Sequence, residues 1–178
     1  IVVDVGTGSG CLAVSVASAL PEARVLAIDA SAEALTVARA NMEQHGLGAR
    51  IECVQGDLLE PLAERGLVGQ VGVVLSNPPY IADLDLAMLQ PEVRCFEPRV
   101  ALAGGPDGMD VHRRLIQQAP TYLKAGGMLL MEVGLGQAAT VCREAESSGW
   151  FRIDDVLRDE GGIDRVVCLE KTAAGPSL

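Results

Sequence analysis

The sequence predicts an α/β domain: a mostly parallel sheet with helices on both faces, ending in a C-terminal antiparallel hairpin. Three observations carry this. Apolar runs of strand length alternate with helical spacing through the first half, Gly, Asp or Asn marks the ends of those runs, and the last two runs are joined by a short link. The composition agrees, since 178 residues suffice for one domain, and 49% hydrophobic with only 3% aromatic residues implies a core of Val, Leu, Ile and Ala.

Residues 1–5 read as the first strand, Gly6-Thr7-Gly8-Ser9-Gly10 as a turn, and 11–20 as a helix rich in Ala and Val. Because the chain opens directly on a core strand, more chain is expected upstream. A second strand over 24–28 ends at Asp29, and a helix follows over 32–45, with Ser31 as its N-cap and Gly46 as its stop. The third strand, 51–55, ends at Gly56-Asp57, and the fourth, 71–75, runs into Ser76-Asn77. The stretch 81–106 is polar and punctuated by Pro91, Pro98, Gly104 and Gly105, so it is expected to be a long loop, which in a compact domain is usually functional. Helical spacing returns over 108–123, Gly126-Gly127 leads into a strand over 128–133, and 137–148 reads as a helix. The runs 151–157 and 165–170 are linked too tightly for a crossover helix and should pair as a hairpin. Residues 1–171 thus make seven strands in one domain, with a frayed tail over 172–178.

No apolar run approaches the roughly 18 residues that a membrane span needs, and no basic-then-apolar leader is present, so a soluble chain is expected. Its 24 Asp plus Glu against 14 Lys plus Arg, a net charge of -10, speak against a nucleic-acid partner. Five cysteines without CxxC spacing point to reduced thiols in a cytoplasm and to no metal; His45 and His112 also lack metal-ligand spacing.

Asn77-Pro78-Pro79-Tyr80 is the most informative motif, because it sits where the fourth strand ends, the edge at which open α/β sheets do their chemistry. An Asn side chain offers one acceptor and two donors, and the prolines stiffen the backbone while leaving their carbonyls free, so the motif suits a substrate amino group. Tyr80 adds a flat ring for a planar amide or base. The bland alternative is a proline turn capping the strand. The Gly6 to Gly10 turn brings backbone amides to a ligand at a helix start, but its third Gly comes one residue early for the nicotinamide fingerprint. Asp29 is placed to accept from ribose hydroxyls and Asp57 from an adenine amino group, while Asp4 could hold the turn or meet a positive group. Each of these acids also reads as a solvated strand end. Glu97 and Arg99 either brace the long loop, meet substrate backbone, or simply pair with each other; Glu132, at the end of the fifth strand, is a further candidate to face the pocket.

Asp4 through Gly10 with Asp29, Gly56-Asp57 and Ser76 through Ile81 resembles the Rossmann-like class I methyltransferases that use S-adenosyl-L-methionine. Phe96-Glu97-Pro98-Arg99 followed by Gly104-Gly105-Pro106-Asp107-Gly108 narrows the resemblance to the release-factor glutamine methyltransferases, over essentially the whole chain. The resemblance implies S-adenosyl-L-methionine held by Asp4, Gly6, Thr7, Gly8, Gly10, Asp29, Asp57 and Asn77. It implies catalysis by Asn77, Pro78 and Tyr80, with Pro79, Glu97 and Arg99 also meeting the substrate. That substrate would be the glutamine of the Gly-Gly-Gln motif in class I peptide chain release factors. Family members also carry an N-terminal helical domain that helps hold the release factor. A ribosomal-protein glutamine or the amino group of a DNA adenine remains open from the same Asn-Pro-Pro-Tyr chemistry, as does a non-catalytic module that keeps the cofactor pocket.

Overall fold

The computed structural model describes residues 1–173 and 175, with backbone alone for Val93, Cys95 and Phe96, so most of the expected tail lies outside the described residues. Seven strands form one sheet in the order β3-β2-β1-β4-β5-β7-β6. β1 (Val2–Val5), β2 (Val25–Asp29), β3 (Ile51–Gln55), β4 (Val71–Ser76) and β5 (Leu123–Glu132) run parallel. β7 (Asp164–Lys171) is antiparallel to both β5 and β6 (Phe151–Arg158), the hairpin that the short link requires.

Alternation along the strands sends side chains into two cores. Val3, Val5, Leu26 and Ile28 face α5 (Asp110–Tyr122) and α6 (Ala138–Ser147) on one side of the sheet. Val2, Val25 and Ala27 face α1 (Cys11–Ala19) and α2 (Ala32–Gln44) on the other. Small residues do much of the α1/α2 packing: Ala13, Ala17 and Ala38 are fully buried, which lets these helices lie close to the strands. Leu115 is fully buried opposite them, and its truncation to Ala would cost about 2–5 kcal/mol.

Local chemistry sets the helix ends. Ser31 caps α2, its Oγ accepting from Ala34 N at 3.1 Å. Gly46, at φ +67°, ends that helix: its own N–H reaches Glu43 O at 3.0 Å and Leu47 N reaches Met42 O at 2.9 Å. Pro120 lies near the end of α5, and Lys171 Nζ donates to Pro120 O at 2.6 Å and Leu123 O at 2.8 Å, placing a cation on that carbonyl end.

Two expectations change. β5 begins at Leu123, which pairs with Val71, so Gly126-Gly127 lies within the strand at an irregularity of its register rather than before it. The expected loop over 81–106 contains two short helices, α3 (Pro91–Phe96) and α4 (Arg99–Leu102), each following a proline-fixed start. Its two ends are joined: Ile81 N donates to Leu102 O at 3.0 Å and Gly104 N to Ile81 O at 2.9 Å. The four cysteines whose side chains are described are free, and no helix among the described residues is long and apolar enough to cross a membrane.

Candidate active site

After β3 the chain returns past β2 and β1 to lay β4 on the far side of β1, so connections leave β1 and β4 in opposite directions. Such a switch point opens a crevice at the carboxyl ends of the strands. Val5 of β1 stands in register with Ser76 of β4, and Ser76 Oγ donates to Val5 O at 2.8 Å. The Gly-rich turn and Asn77 therefore leave the sheet side by side.

On the β1 side, Gly6, Gly8 and Gly10 all have positive φ, at +69°, +56° and +81°. A Cβ at Gly6 or Gly8 would meet nothing within 4 Å, whereas one at Gly10 would press on Met42 and Ala38. The first two glycines thus border open space, and the third allows α1 to pack on α2. Asp4 is fully buried below the turn; its Oδ2 accepts from Thr7 Oγ1 at 2.6 Å and from Ala13 N at 3.1 Å, satisfying one of the free amides that begin α1. Asp4 Oδ1 has no partner, and burial pushes the carboxyl above its ordinary value. Asp29, half-buried at the end of β2, accepts from Gly8 N through Oδ2 and from Ser31 N through Oδ1, both at 2.9 Å. Each of those oxygens keeps a second acceptor direction. Asp57 is exposed and bound by Arg114 at 2.6 Å, an ion pair that raises the guanidinium's pKa. Beside it Leu58, alone among the described non-glycine residues, has a left-handed φ, at +48°, a strained turn next to the site.

On the β4 side, the exposed Asn77 side chain makes no hydrogen bond to a described residue, Pro78 is buried, and Pro79 and Tyr80 are half-buried. Tyr80 is held at three points. Its hydroxyl faces Glu132 Oε1 at 3.4 Å, and burial followed by that carboxylate raises the phenol's pKa. Its ring lies against Gly134, where an added Cβ would come within 3.0 Å of Cδ2. Its carbonyl accepts from Gln137 Nε2 at 2.9 Å. Beneath this wall His112 is fully buried, with Nε2 2.8 Å from Glu132 O and Nδ1 unpartnered, and burial lowers its pKa.

The crevice brings together Asp4, the glycine turn, Asp29 and Asn77 through Tyr80. Glu97 and Arg99 stand apart in the 81–104 excursion, where both line a cavity of about 310 Å³ with Leu86, Leu89 and Arg94. Arg99 reaches Asp83 at 3.9 Å, with both side chains exposed, and pairs with it rather than with Glu97. Gly134 and Gln137 have no counterpart among the sequence candidates. The available signal was a Gly-x-Gly-Gln turn directly after the fifth strand, which is also how an ordinary helix start reads.

Three comparisons bear on this geometry. The family model described as the methyltransferase small domain matches residues 1–91. A release factor glutamine methyltransferase of Geobacter sulfurreducens is 46% identical over 166 residues, 93% of this chain and 56% of that protein. One of Gloeobacter violaceus is 44% identical over 174 residues, 98% of this chain and 59% of that protein. This chain thus spans a little over half the length of those curated relatives. A crystal structure from Alicyclobacillus acidocaldarius, described as a release factor-specific protein-(glutamine-N5) methyltransferase, aligns with a TM-score of 0.56 at 32% identity. The alignment covers 96% of this chain and 79% of that one.

Proposed function

Because the chain belongs to the release factor glutamine methyltransferases, we propose that it carries the catalytic half of an enzyme that methylates a glutamine side-chain amide in a class I peptide chain release factor, in the cytoplasm, with S-adenosyl-L-methionine as donor. The observation that carries this reading is the free, exposed amide of Asn77 standing one strand away from an open glycine turn.

The donor set fits the cofactor. Gly6 and Gly8 leave space beside their backbone, Asp29 has unused acceptor capacity for a ribose diol, and the unpartnered Asp4 Oδ1 is the kind of buried atom a cationic group would satisfy. Thr7 and Gly10 shape the turn, and Asp57 would take an adenine amino group beside its Arg114 pair. When bound, S-adenosyl-L-methionine supplies an electrophilic methyl group.

An amide nitrogen is a poor nucleophile because its lone pair is delocalised into the carbonyl. In the proposed reaction Asn77 Oδ1 and the Pro78 carbonyl accept the two N–H hydrogens of the glutamine. This turns the lone pair toward the donor and stabilises positive charge that grows on nitrogen. Tyr80 packs on the amide plane, with Pro79 beside it, and keeps water out. No base is needed beforehand, since the extra proton leaves to solvent after transfer. Glu97 and Arg99 would meet the protein around the glutamine, and a helical domain outside these 178 residues would share in holding it.

The test is mass spectrometry of a release factor after incubation with cofactor and the natural full-length form of this protein. One added methyl on the Gly-Gly-Gln peptide is expected. An unmodified peptide, or label found instead on a ribosomal protein or on DNA adenine, overturns the reading.

A further inference from the structure

Asn77-Pro78-Pro79-Tyr80 is a short bridge between two supports. At one end Ser76 belongs to the sheet and its hydroxyl is bonded to β1. Along the bridge the prolines restrict two backbone torsions. At the other end stands Gln137, the residue before α6, whose side-chain amide bonds to backbone through both its nitrogen and its oxygen. Nε2 donates to Tyr80 O at 2.9 Å and lies 3.5 Å from Gly108 O, while Oε1 accepts from Gly134 N at 2.9 Å. Gln137 N in turn donates to Gly134 O at 3.1 Å, so the turn after β5 is closed by both main chain and side chain.

Three segments distant in sequence meet on this one side chain, and the glycines among them show how tightly. Gly108, at φ +76°, has no room for a Cβ, which would run into the Tyr80 carbonyl and Gln137 Nε2. A Cβ on Gly134 would lie 2.9 Å from Gln137 Oε1. The site is shaped around an amide at position 137.

We infer that Gln137 is a positioning residue for methyl transfer: through the Tyr80 carbonyl it fixes the far end of the Asn77 to Tyr80 bridge, and with it the Asn77 oxygen and Pro78 carbonyl that orient the substrate nitrogen. The inference rests on the function proposed above. The Gln137 side chain bonds to Tyr80, Gly108 and Gly134 and not to the Gly6 to Gly10 turn or Asp29, so its loss should act on the geometry of transfer and leave cofactor binding alone. Small displacements of aligned reacting groups are costly, on the order of 10²-fold for about 1 Å.

The test uses the natural full-length protein with Gln137→Met, which keeps length and removes the side-chain hydrogen bonds, and Gln137→Lys, which returns a donor of similar reach. Gln137→Met should lower kcat by about 10- to 100-fold, with KM for the release factor and Kd for S-adenosyl-L-methionine within about twofold of wild type; Gln137→Lys should recover part of kcat. An unchanged kcat, or cofactor affinity that falls as far as kcat does, overturns the assignment. Side-chain amide exchange by NMR in the unmodified protein covers the case of misfolded variants: the Gln137 Nε2 protons should exchange more slowly than those of exposed Gln44. Equal rates would refute the brace. If the unmodified enzyme methylates no release factor, the functional reading fails, while the exchange measurement still judges the brace.

Discussion

The two walls of the crevice are built in opposite ways. The β1 wall is local: Asp4 accepts from Thr7 and Ala13 on the turn and helix that directly follow it, and Asp29 reaches in from the next strand to accept from Gly8 N. The β4 wall is assembled from afar, with Tyr80, Gly108 and the Glu132 to Gln137 stretch converging from three segments. A local wall keeps its shape wherever the first two strands pair, whereas a distributed wall depends on the whole second half being folded. Donor binding and transfer should therefore be separable by mutation.

The sharpest separation is Asn77→Ala. Its amide supports nothing else, so labelled-methyl assays should show turnover down by about 10²–10³-fold, with calorimetric cofactor affinity unchanged. Retained turnover would break the proposed mechanism. Next come two glycines with equal substitutions and unequal surroundings. Gly108→Ala drives a methyl into the Tyr80 carbonyl and should cost about 2–4 kcal/mol in urea unfolding. Gly8→Ala meets open space and should cost only about 1–2 kcal/mol from its left-handed φ, while cofactor affinity should drop about tenfold if that space holds the donor as proposed. If the two variants swapped these signatures, the division between the walls would be wrong.

Acidity gives a smaller contrast with opposite signs. Burial raises the Asp4 carboxyl, so between its ordinary 3.8 and its folded value the native state holds the extra proton and stability falls as pH rises. Burial lowers His112, so between its folded value and 6.5 the unfolded chain holds the extra proton, and stability falls as pH drops below 6.5. Each contributes a slope of at most about 1.4 kcal/mol per pH unit. In unfolding measured across pH, Asp4→Asn should remove the first slope and His112→Leu the second; unchanged profiles would mean that neither burial persists in solution. The smallest expected effect is Arg24→Ala, far from both walls, where loss of an exposed pair with Glu52 should change stability by about 0.5 kcal/mol or less.

This contrast also explains what the sequence could reveal. The β1 wall is legible because its parts are contiguous: the Asp4 to Gly10 stretch states a strand, a turn and a helix start in one line, and Ser31 and Gly46 announce the limits of α2. The hairpin follows from the shortness of its link. Glu132 was visible as a strand-end acid, and the structure brings it to the Tyr80 hydroxyl. Gln137 was not, because a polar residue before a helix looks the same whether its side chain meets water or the carbonyl of a residue 57 positions away. The early start of β5 was hidden by Gly126-Gly127, which reads as a break and is absorbed by a register shift. Arg99 beside Asp83 rather than Glu97 depends on how the excursion folds back, which local composition does not encode.

The joined ends of that excursion have a consequence for how such a protein can diversify. Because Ile81 and Gly104 are already bonded to each other, the stretch between them is a closed loop hung from a fixed clasp, and closure entropy grows only logarithmically with length. Doubling its contour would cost about 0.6 kcal/mol. Insertions and rewritten surfaces can thus accumulate there at small cost to the sheet below, leaving that outer face free to drift while the glycine-turn wall stays put.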